Sequence, residues 1–360
     1  MLPQGMFGHS DVVAAVSRLR GVARRTPLLR SVDLLLPSPA GPLSSSPGPA
    51  ARPVPELYLK AENLQLTHAF KFRGAYNRVA QLSAAERSRG LVAASSGNHA
   101  LGLSLAGALL GASVTVVMPE GAPIVKELGC RAYGAQVIRH GQVYDDALAR
   151  ATAMAAAEGM VYVPSFDDPQ VAAGQATVAW EILEDLPDVD VIVAPIGGGG
   201  LLSGLAGLVK TMPQEAVAAH FPARRRPLSD IHIVGVQAAG AASMIESVRA
   251  GRVVALPSIS TIADGIAVRK PGRWTYEVIS SLVDDYITVS DDEILQALAR
   301  TLLKEKLLIE PAGAAAVAAV LCNRAGDRVD LPAVLAGGGR VVCVLSGGNV
   351  EPKVLGQALA

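Results

Sequence analysis

Short apolar runs alternate with alanine-rich segments of helical length along most of the chain. Strands that are separated by crossover helices form parallel sheets, so this rhythm predicts an α/β fold with its sites at the carboxyl ends of strands. Helical spacing over 10–23, with Ser10 as the candidate N-cap, predicts a first helix. The predicted strands are 56–63, 91–95, 113–119, 135–139, 160–164, 190–196, 231–237, 285–290 and 341–346.

The composition indicates a large aliphatic core and a balanced charge. Half of the 360 residues are hydrophobic but only 4% are aromatic, which suits closely packed α/β layers. Lysine plus arginine equals aspartate plus glutamate at 32 each, and no block of like charge stands out. This balance argues against nucleic acid or an anionic membrane as the partner.

The sequence favours a reduced, cytoplasmic protein. Its start lacks the charged and apolar regions of a secretory signal. The longest uncharged run, 191–209, contains Pro195 and four consecutive glycines, a backbone that lipid would leave unsatisfied. The three cysteines lie outside CxxC or Cys/His spacing, which argues against a disulfide scaffold or a zinc site. They are Cys130, Cys322 and Cys343.

Residues 37–55 carry seven prolines among serine, glycine and alanine. This composition can neither pair in a sheet nor bury much surface, so it predicts a solvated surface loop. A proline-rich docking motif is the alternative, but no strict PxxP repeat with flanking positive charge supports it.

The stretch THAFKFRGA, residues 67–75, places one lysine between two phenylalanines. Apolar surroundings from Phe70 and Phe72 would lower the pKa of the Lys71 ammonium, because they disfavour the charged form. A neutral lysine amine is a nucleophile, and its most direct use is a Schiff base with an aldehyde cofactor, above all pyridoxal phosphate. The alternative is an ordinary lysine whose stem lies along an apolar surface.

Three further motifs follow predicted strands. SSGNHA, 95–100, would present hydroxyl, amide and N–H groups to a carboxylate at a helix N-terminus, although a plain N-cap has the same composition. GGGGLLSG, 197–204, would bring consecutive N–H groups to a phosphate monoester, since it lacks the spacing of a dinucleotide fingerprint and the lysine of a P-loop. In SGGN, 346–349, a serine hydroxyl could donate to a neutral ring nitrogen, and a tight turn is the alternative.

Taken in order, these motifs resemble those of the fold type II pyridoxal-phosphate enzymes, and more narrowly the serine/threonine dehydratase and serine racemase group. The resemblance runs from about Val12 to about Pro352 and leaves out only the proline-rich segment. Three more matching segments are VAAGQAT (171–177), TIADGIAV (261–268) and LIEPAGAAA (308–316).

The resemblance implies two open, parallel-sheet α/β domains with pyridoxal 5'-phosphate between them. Residues 1–78 and 168–360 would form the large cofactor domain, and residues 79–167 the small domain that holds the substrate carboxylate. The group usually forms oligomers, so a homodimer or homotetramer is expected.

The resemblance also implies roles for single residues. Lys71 matches the Schiff-base lysine, Phe70 the side chain beside the cofactor ring, and Asn98 the amide that hydrogen-bonds the phenolic oxygen. The phosphate cradle corresponds to Gly197, Gly198, Gly199, Gly200 and Leu201. The other matches are Ser95, Ser96, Asn98 and His99 at the substrate carboxylate, Gly265 and Glu310 on ring-lining segments, and Ser346 at the pyridine nitrogen.

For this group, the resemblance implies α,β-elimination of water from the amino acids L-threonine and L-serine, giving a 2-oxo acid and ammonia. The substrate amine displaces Lys71, whose freed amine removes the Cα proton before the β-hydroxyl leaves. An uncharged partner such as Ser346 makes the ring a weaker electron sink than an acidic partner would, which favours prompt expulsion of the β group.

Serine racemase is the closest alternative, with Ser96 as a second acid/base on the opposite face of the carbanion. Hydroxyaspartate dehydratase is another, and a silent sensor would be expected to lose Lys71. Racemases of the group bind a divalent cation through two carboxylates where this chain has Gln237 and Ser243, so no tight metal site is expected there.

The chain departs from the group's pattern at a few positions. His68 and Ala176 stand where the group commonly has glycine, and Leu101 stands where glutamine is common. Tyr144 and Asp145 follow the dehydratase pattern at a place where racemases have an arginine.

Overall fold

The computed structural model describes residues 3–35, 55–122 and 124–360. Ten strands in these residues form two sheets. They are β1 (Leu28–Ser31), β2 (Glu56–Lys60), β3 (Leu91–Ala94), β4 (Val114–Met118), β5 (Gln136–Arg139), β6 (Val161–Tyr162), β7 (Val191–Pro195), β8 (His232–Ala238), β9 (Asp285–Val289) and β10 (Arg340–Val344). Residues 36–54, which hold most of the predicted proline-rich loop, lie outside the described residues, so the loop stays a prediction.

The larger sheet has the strand order β1-β2-β10-β7-β8-β9, and the smaller sheet has the order β5-β4-β3-β6. All neighbouring strands are parallel except β1 and β2, which are antiparallel. The predicted α/β class with parallel sheets is confirmed, and each predicted strand overlaps an observed one. The strands of the smaller sheet all lie within 91–162, which supports the predicted small domain, whereas the domain boundaries stay a prediction.

Helices cover both sheets, and within the described part of the chain none has the length and apolarity needed to cross a membrane. They are α1 (His9–Leu19), α2 (Lys71–Ala80), α3 (Ala84–Ser88), α4 (Asn98–Leu110), α5 (Ile124–Ala132), α6 (Tyr144–Glu158), α7 (Pro169–Asp185), α8 (Gly200–Thr211), α9 (Gln214–His220), α10 (Ser243–Ala250), α11 (Arg273–Leu282), α12 (Asp291–Glu305), α13 (Pro311–Leu321), α14 (Leu331–Ala336) and α15 (Pro352–Leu359). Short 3₁₀ turns span Glu62–Leu64, Leu66–His68, Leu228–Asp230, Ala239–Ala241 and Asp264–Ile266.

The first helix is shorter than its apolar spacing predicts. It begins after Gly8, which is its N-cap in place of the predicted Ser10, and it ends at Leu19. Arg20 is already extended, with φ −62° and ψ 124°, so the chain leaves the helical conformation at this residue, and Gly21 follows with a φ of 74°. The predicted extension of this helix to residue 23 is therefore wrong.

The centre of the larger sheet is buried on both faces. β7 is buried along its whole length, and its alternate side chains point to opposite faces because a strand has a period of two. Ile192 and Ala194 belong to one apolar cluster, and Val191 and Val193 belong to another. Since both faces are filled by apolar side chains, the carboxyl edge of the sheet is the place for polar chemistry.

Helix α2 packs against α7 and α4 through glycines. A β-carbon on Gly174 of α7 would lie 2.6 Å from the Cα atom of Gly74 and 2.7 Å from the carbonyl oxygen of Arg73. On the opposite side, a β-carbon on Gly102 of α4 would lie 3.0 Å from the backbone nitrogen of Phe72. The backbone of α2 thus approaches both neighbours closely, and only glycine leaves room for this.

We expect Gly174→Ala to lower the free energy of unfolding by about 1–3 kcal/mol, the usual cost of overpacking. The added methyl group would meet main-chain atoms of α2, which cannot move aside like a side chain. Gly356→Ala in the exposed helix α15 is the matched control, because nothing lies within 4 Å of its added β-carbon. Alanine is the better helix former, so this control should be neutral or stabilising by up to about 1 kcal/mol. Urea denaturation measures both, and equal effects would contradict the close packing of α2 on α7.

Candidate active site

Residues that follow strands of the two sheets come together at one place. Residues 95–98 follow β3 and open α4, while 346–349 follow β10. The side-chain nitrogen Nδ2 of Asn349 donates to Oδ1 of Asn98 at 2.8 Å and so joins the two strand ends. The glycine run 197–200 follows β7 in the same larger sheet and opens α8. The carboxyl ends of parallel strands therefore supply all three predicted motifs.

Lys71 is the first residue of α2 and is only partly exposed. Its Nζ donates to the carbonyl oxygen of Ser165 at 2.7 Å, and it lies 5.3 Å from the ring centre of Phe70 and 6.0 Å from that of Phe166. Desolvation by the surrounding protein lowers the pKa of Lys71 to about 8, against an opposing effect of the Glu310 charge. Most of this amine is still protonated at pH 7, but its neutral, nucleophilic fraction is far larger than that of an ordinary lysine.

A buried ion cluster fixes α2 just beyond this lysine. The Arg73 guanidinium donates to both carboxylate oxygens of Glu62 at 2.8 Å and to those of Glu181 at 2.7 and 2.9 Å. Lys60, the last residue of β2, donates to Glu181 at 2.5 Å and to the carbonyl oxygen of Thr26 at 2.7 Å. Two cations and two carboxylates thus satisfy one another out of water, in the forked geometry that makes such bonds strong.

The loop that leads into α2 is strained. Thr67 and His68 have φ values of 58° and 56°, in the left-handed region that favours glycine. The carbonyl oxygen of Thr67 accepts from Nδ2 of Asn349, and that of His68 accepts from the N–H of Gly348, both at 2.9 Å. The residues after β10 therefore hold this loop, and glycine would adopt the conformation of His68 with less strain.

The glycine run has room for backbone only. Gly199 has a φ of 102°, and a β-carbon on Gly198 would lie 2.3 Å from the ring of Phe166. The hydroxyl of Thr275 donates to the carbonyl oxygen of Gly198 at 2.7 Å and fixes the orientation of that peptide. The first N–H groups of α8, from Gly200 onward, have no acceptor within the helix and can bind an anion.

Glu310 connects the two sheets through Asn98. Nδ2 of Asn98 donates to Oε1 of Glu310 at 2.6 Å, and Oε2 of this buried carboxyl group has no hydrogen-bond partner among the described residues. Burial and then the charge of Asp264 raise the pKa of Glu310 to about 7. This carboxyl group therefore changes its protonation close to neutral pH.

Among the predicted carboxylate-binding residues, the two serines differ from the buried histidine. Ser95 accepts from the N–H of Gly97 at 3.2 Å, and Ser96 is partly exposed. The imidazole of His99 is buried, with Nε2 at 3.0 Å from the carbonyl oxygen of Val163. Burial and then the charge of Lys71 lower the pKa of His99 to about 3, so this ring is neutral and cannot attract a carboxylate by charge.

Ser346, Gly265 and Gly197 lie in the same chain of contacts. Ser346 is buried, and its carbonyl oxygen accepts from the N–H of Phe70 at 3.1 Å. A β-carbon on Gly265 would lie 3.4 Å from Oε1 of Glu310, and one on Gly197 would lie 3.3 Å from the carbonyl oxygen of Gly265. Leu201 is buried at the start of α8.

Sequence reasoning missed three residues of this site. Ser165 and Phe166 lie at the end of the predicted small domain, 79–167, and received no role from the sequence. Both residues follow β6, and that position after a strand was the available signal. Asn349 is the last residue of the SGGN motif, of which only Ser346 received a role. Its contacts to Asn98 and to the loop before α2 depend on tertiary structure and have no local signal.

Comparison with known proteins identifies the family. The sequence pattern of the family described as "Pyridoxal-phosphate dependent enzyme" matches residues 39–347. The chain belongs to this family. It is 43% identical over 304 residues to an L-threonine ammonia-lyase of Thermotoga maritima, which covers 84% of this chain and 70% of the relative. The resemblance that the motifs indicate is therefore confirmed.

Two solved structures have a similar fold. The processed form of threonine deaminase isoform 2 from Solanum lycopersicum has a TM-score of 0.81 at 29% identity, over 99% of this chain and 90% of that chain. Maize serine racemase has a TM-score of 0.81 at 30% identity, over 98% of this chain and 96% of that chain. The fold type predicted from the motifs is thereby confirmed.

The residues of this pyridoxal-phosphate enzyme suit the cofactor. The pKa of the Lys71 amine is lowered, so part of it is neutral. At Gly198 a side chain would clash with Phe166, so only the backbone, with its N–H groups, is presented there. Ser346 offers an uncharged hydroxyl at the end of β10. The set provides an amine for the aldehyde, N–H groups for the phosphate and a neutral partner for the ring nitrogen.

In the protein without cofactor, we expect the Lys71 amine to titrate with a midpoint near pH 8, because its folded pKa is lowered to about 8. The reactive neutral form should be present above that pH and lost as the pH falls through it. Competitive labelling with acetic anhydride, followed by peptide mass spectrometry, measures this, with the exposed Lys353 as the reference for reagent reactivity. In urea-unfolded protein, Lys71 should titrate near the ordinary lysine value of about 10.4. The same midpoint in folded and unfolded protein would contradict the desolvation of this amine.

Proposed function

We propose that this pyridoxal-phosphate enzyme removes water from L-threonine and from L-serine, giving 2-oxobutanoate or pyruvate and ammonia. The observation that carries the proposal is the presence of a partly neutral Lys71 amine in one site with the uncharged Ser346. A relative named L-threonine ammonia-lyase is 43% identical, whereas a neighbour named serine racemase is 30% identical. Both the site and the closer relative therefore support elimination.

The residues of the chain would move and hold the protons. When bound, pyridoxal phosphate supplies an electron sink for the negative charge that develops at the substrate Cα. The Lys71 amine takes the Cα proton, because a base with a pKa near the working pH transfers protons efficiently. The carbonyl oxygen of Ser165, 2.7 Å from Nζ, accepts an N–H of this amine and orients its lone pair.

Each predicted residue is assigned a contact in this proposal. The N–H groups at the start of α8 would bind the phosphate, Asn98 would donate to the phenolic oxygen, and Ser346 would donate to the ring nitrogen. Phe70, Gly265 and Glu310 would line the space for the ring. The backbone origin of the phosphate contacts explains why a run of four glycines, 197–200, precedes a buried leucine. The support for these assignments is the chain of contacts that joins the residues.

The substrate carboxylate would bind at the N-terminus of α4. The hydroxyl groups of Ser95 and Ser96 and the amide of Asn98 lie there, beside N–H groups that lack acceptors within the helix. His99 contributes its backbone N–H, since its neutral imidazole is engaged with Val163.

Serine racemase is the second candidate, and one observation favours it. Ser96 is partly exposed in the same site and could return a proton to the opposite face of Cα. Hydroxyaspartate dehydratase is the remaining alternative. We further propose a cytoplasmic homodimer or homotetramer, as in the group that the motifs resemble. Exposed apolar side chains on α5 support burial between subunits, and they are Ile124, Val125 and Leu128.

The test is turnover by the purified protein loaded with pyridoxal phosphate. We expect it to release 2-oxobutanoate from L-threonine and pyruvate from L-serine, in fractions that elute at the mass of a dimer or tetramer. Lys71→Ala should reduce turnover by about a thousandfold or more, because it removes the proton acceptor. Lys353→Ala on the exposed face of α15 is the control and should keep full turnover.

Three outcomes would contradict this proposal. The first is loaded protein that releases no 2-oxo acid from either substrate. The second is D-serine formed from L-serine faster than pyruvate, which would favour the racemase. The third is a preference for hydroxyaspartate over both L-threonine and L-serine.

A further inference from the structure

A buried lysine joins the two sheets beside the site. Lys126 lies on α5, which follows β4 of the smaller sheet, and it is 6% exposed. Its Nζ donates to Oδ2 of Asp264 at 2.5 Å. Asp264 begins a 3₁₀ turn between β8 and β9 of the larger sheet, and its side chain is 52% exposed. The contact therefore pairs a desolvated ammonium on the side of the smaller sheet with a carboxylate on the side of the larger sheet.

The turn that Lys126 contacts lies against two parts of the site. A β-carbon on Gly197, at the start of the glycine run, would lie 3.1 Å from Cα of Ile266 and 3.3 Å from the carbonyl oxygen of Gly265. A β-carbon on Gly265 would lie 3.4 Å from Oε1 of Glu310. A shift of this turn by about 1 Å would therefore displace both the glycine run 197–200 and the carboxyl group of Glu310, which Asn98 contacts.

We propose that Lys126 is a positioning residue of this enzyme, which holds the turn Asp264–Ile266 against the glycine run and Glu310 and so couples the arrangement of the site to the docking of the two sheets. The kinetic part of the inference rests on the proposed elimination reaction. The structural part, the ordering of the turn, is independent of that reaction.

A second ion pair between the same regions offers a comparison. Arg269, five residues after Asp264, donates to Asp145 at the start of α6 at 3.1 Å. Its side chain and that of Asp145 are 51% and 60% exposed. Exposed pairs contribute little because water and salt screen them. In the Lys126–Asp264 pair only the lysine is buried, so removing Asp264 leaves a buried ammonium unpaired and removing Lys126 leaves a cavity. Lys126, and not Arg269, should therefore couple the arrangement of the site to the docking of the two sheets.

The charge of Lys126 also acts on Glu310. The charged groups that face this carboxyl group are Asp264, Lys126 and Lys71, and Asn98 is its hydrogen-bond donor. Asp264 raises the pKa of Glu310 and Lys126 lowers it. Loss of the Lys126 ammonium should therefore move the pKa of Glu310 further upward, and an ionised Glu310 would then be reached only at higher pH.

The first experiment measures the turn itself by hydrogen–deuterium exchange of protein with and without pyridoxal phosphate. We expect Lys126→Met to speed exchange in the peptide 261–268 by about tenfold or more, with no change in the peptide that covers β10. Asp264→Asn removes the charge that pairs with Lys126 but keeps an oxygen for the N–H of Gly265. It should have the same effect, and it keeps the test decisive if Lys126→Met fails to fold. Lys126→Arg should restore slow exchange. Arg269→Gln is the matched control and should leave exchange within twofold of the parent chain.

The second experiment measures turnover of L-threonine by the loaded variants. A misplacement of about 1 Å can reduce a rate by about a hundredfold, so we expect Lys126→Met to lower kcat by about 10- to 100-fold. The absorbance of the cofactor bound at Lys71 should be the same in Lys126→Met as in the parent enzyme. Ionisation of Glu310, with a pKa of about 7, changes the charge beside Asn98, so we expect a limb of the pH profile near pH 7. This limb should move to higher pH in Lys126→Met and stay in place in Arg269→Gln and Lys126→Arg.

The inference is overturned if exchange in 261–268 is the same in Lys126→Met, Asp264→Asn and Arg269→Gln. It is equally overturned if Lys126→Met keeps the kcat and the pH profile of the parent enzyme. Absence of any 2-oxo acid from the parent enzyme would instead count against the proposed reaction, and the exchange experiment would still decide the role of Lys126.

Discussion

The fixed position of α2 is the constraint on which the rest of the site depends. This short helix carries Lys71 at its first position, and it is held by close glycine packing on two sides. Just beyond Lys71, the Arg73 guanidinium is bound by two carboxylates in a cluster with no net charge. Such a cluster is strongly destabilising to break, since one buried charge would be left unpaired. The amine is therefore presented from a rigid element, as precise chemistry requires.

The electrostatic character of the site follows from its limited access to water. Desolvation lowers the pKa of Lys71 and of His99 and raises that of Glu310, so each group is driven towards its neutral form. Ser346 at the end of β10 adds a hydroxyl without charge. Around such neutral groups, charge that develops at the substrate meets backbone dipoles and fixed donors, which need little rearrangement.

The sequence predicts the fold well because the strands are short, apolar and separated by helices, and every predicted strand overlaps an observed one. It also predicts the motifs at strand ends, since glycine runs and N-capping residues are local signals. It does not predict the end of α1, where the backbone becomes extended at Arg20 although the apolar spacing continues. It also misses Phe166 and Lys126, whose contacts join segments far apart in the chain. Such contacts depend on how the sheets dock, which no local pattern encodes.

One measurement tests the central claim, that the amine of Lys71 is the group that receives the cofactor. The protein is loaded with pyridoxal phosphate, reduced with borohydride and digested, and the modified peptide is found by mass spectrometry. The account predicts a single phosphopyridoxyl group on Lys71, in the peptide that contains Phe70 and Phe72. A stable modification on any other lysine, with Lys71 unmodified, would contradict it.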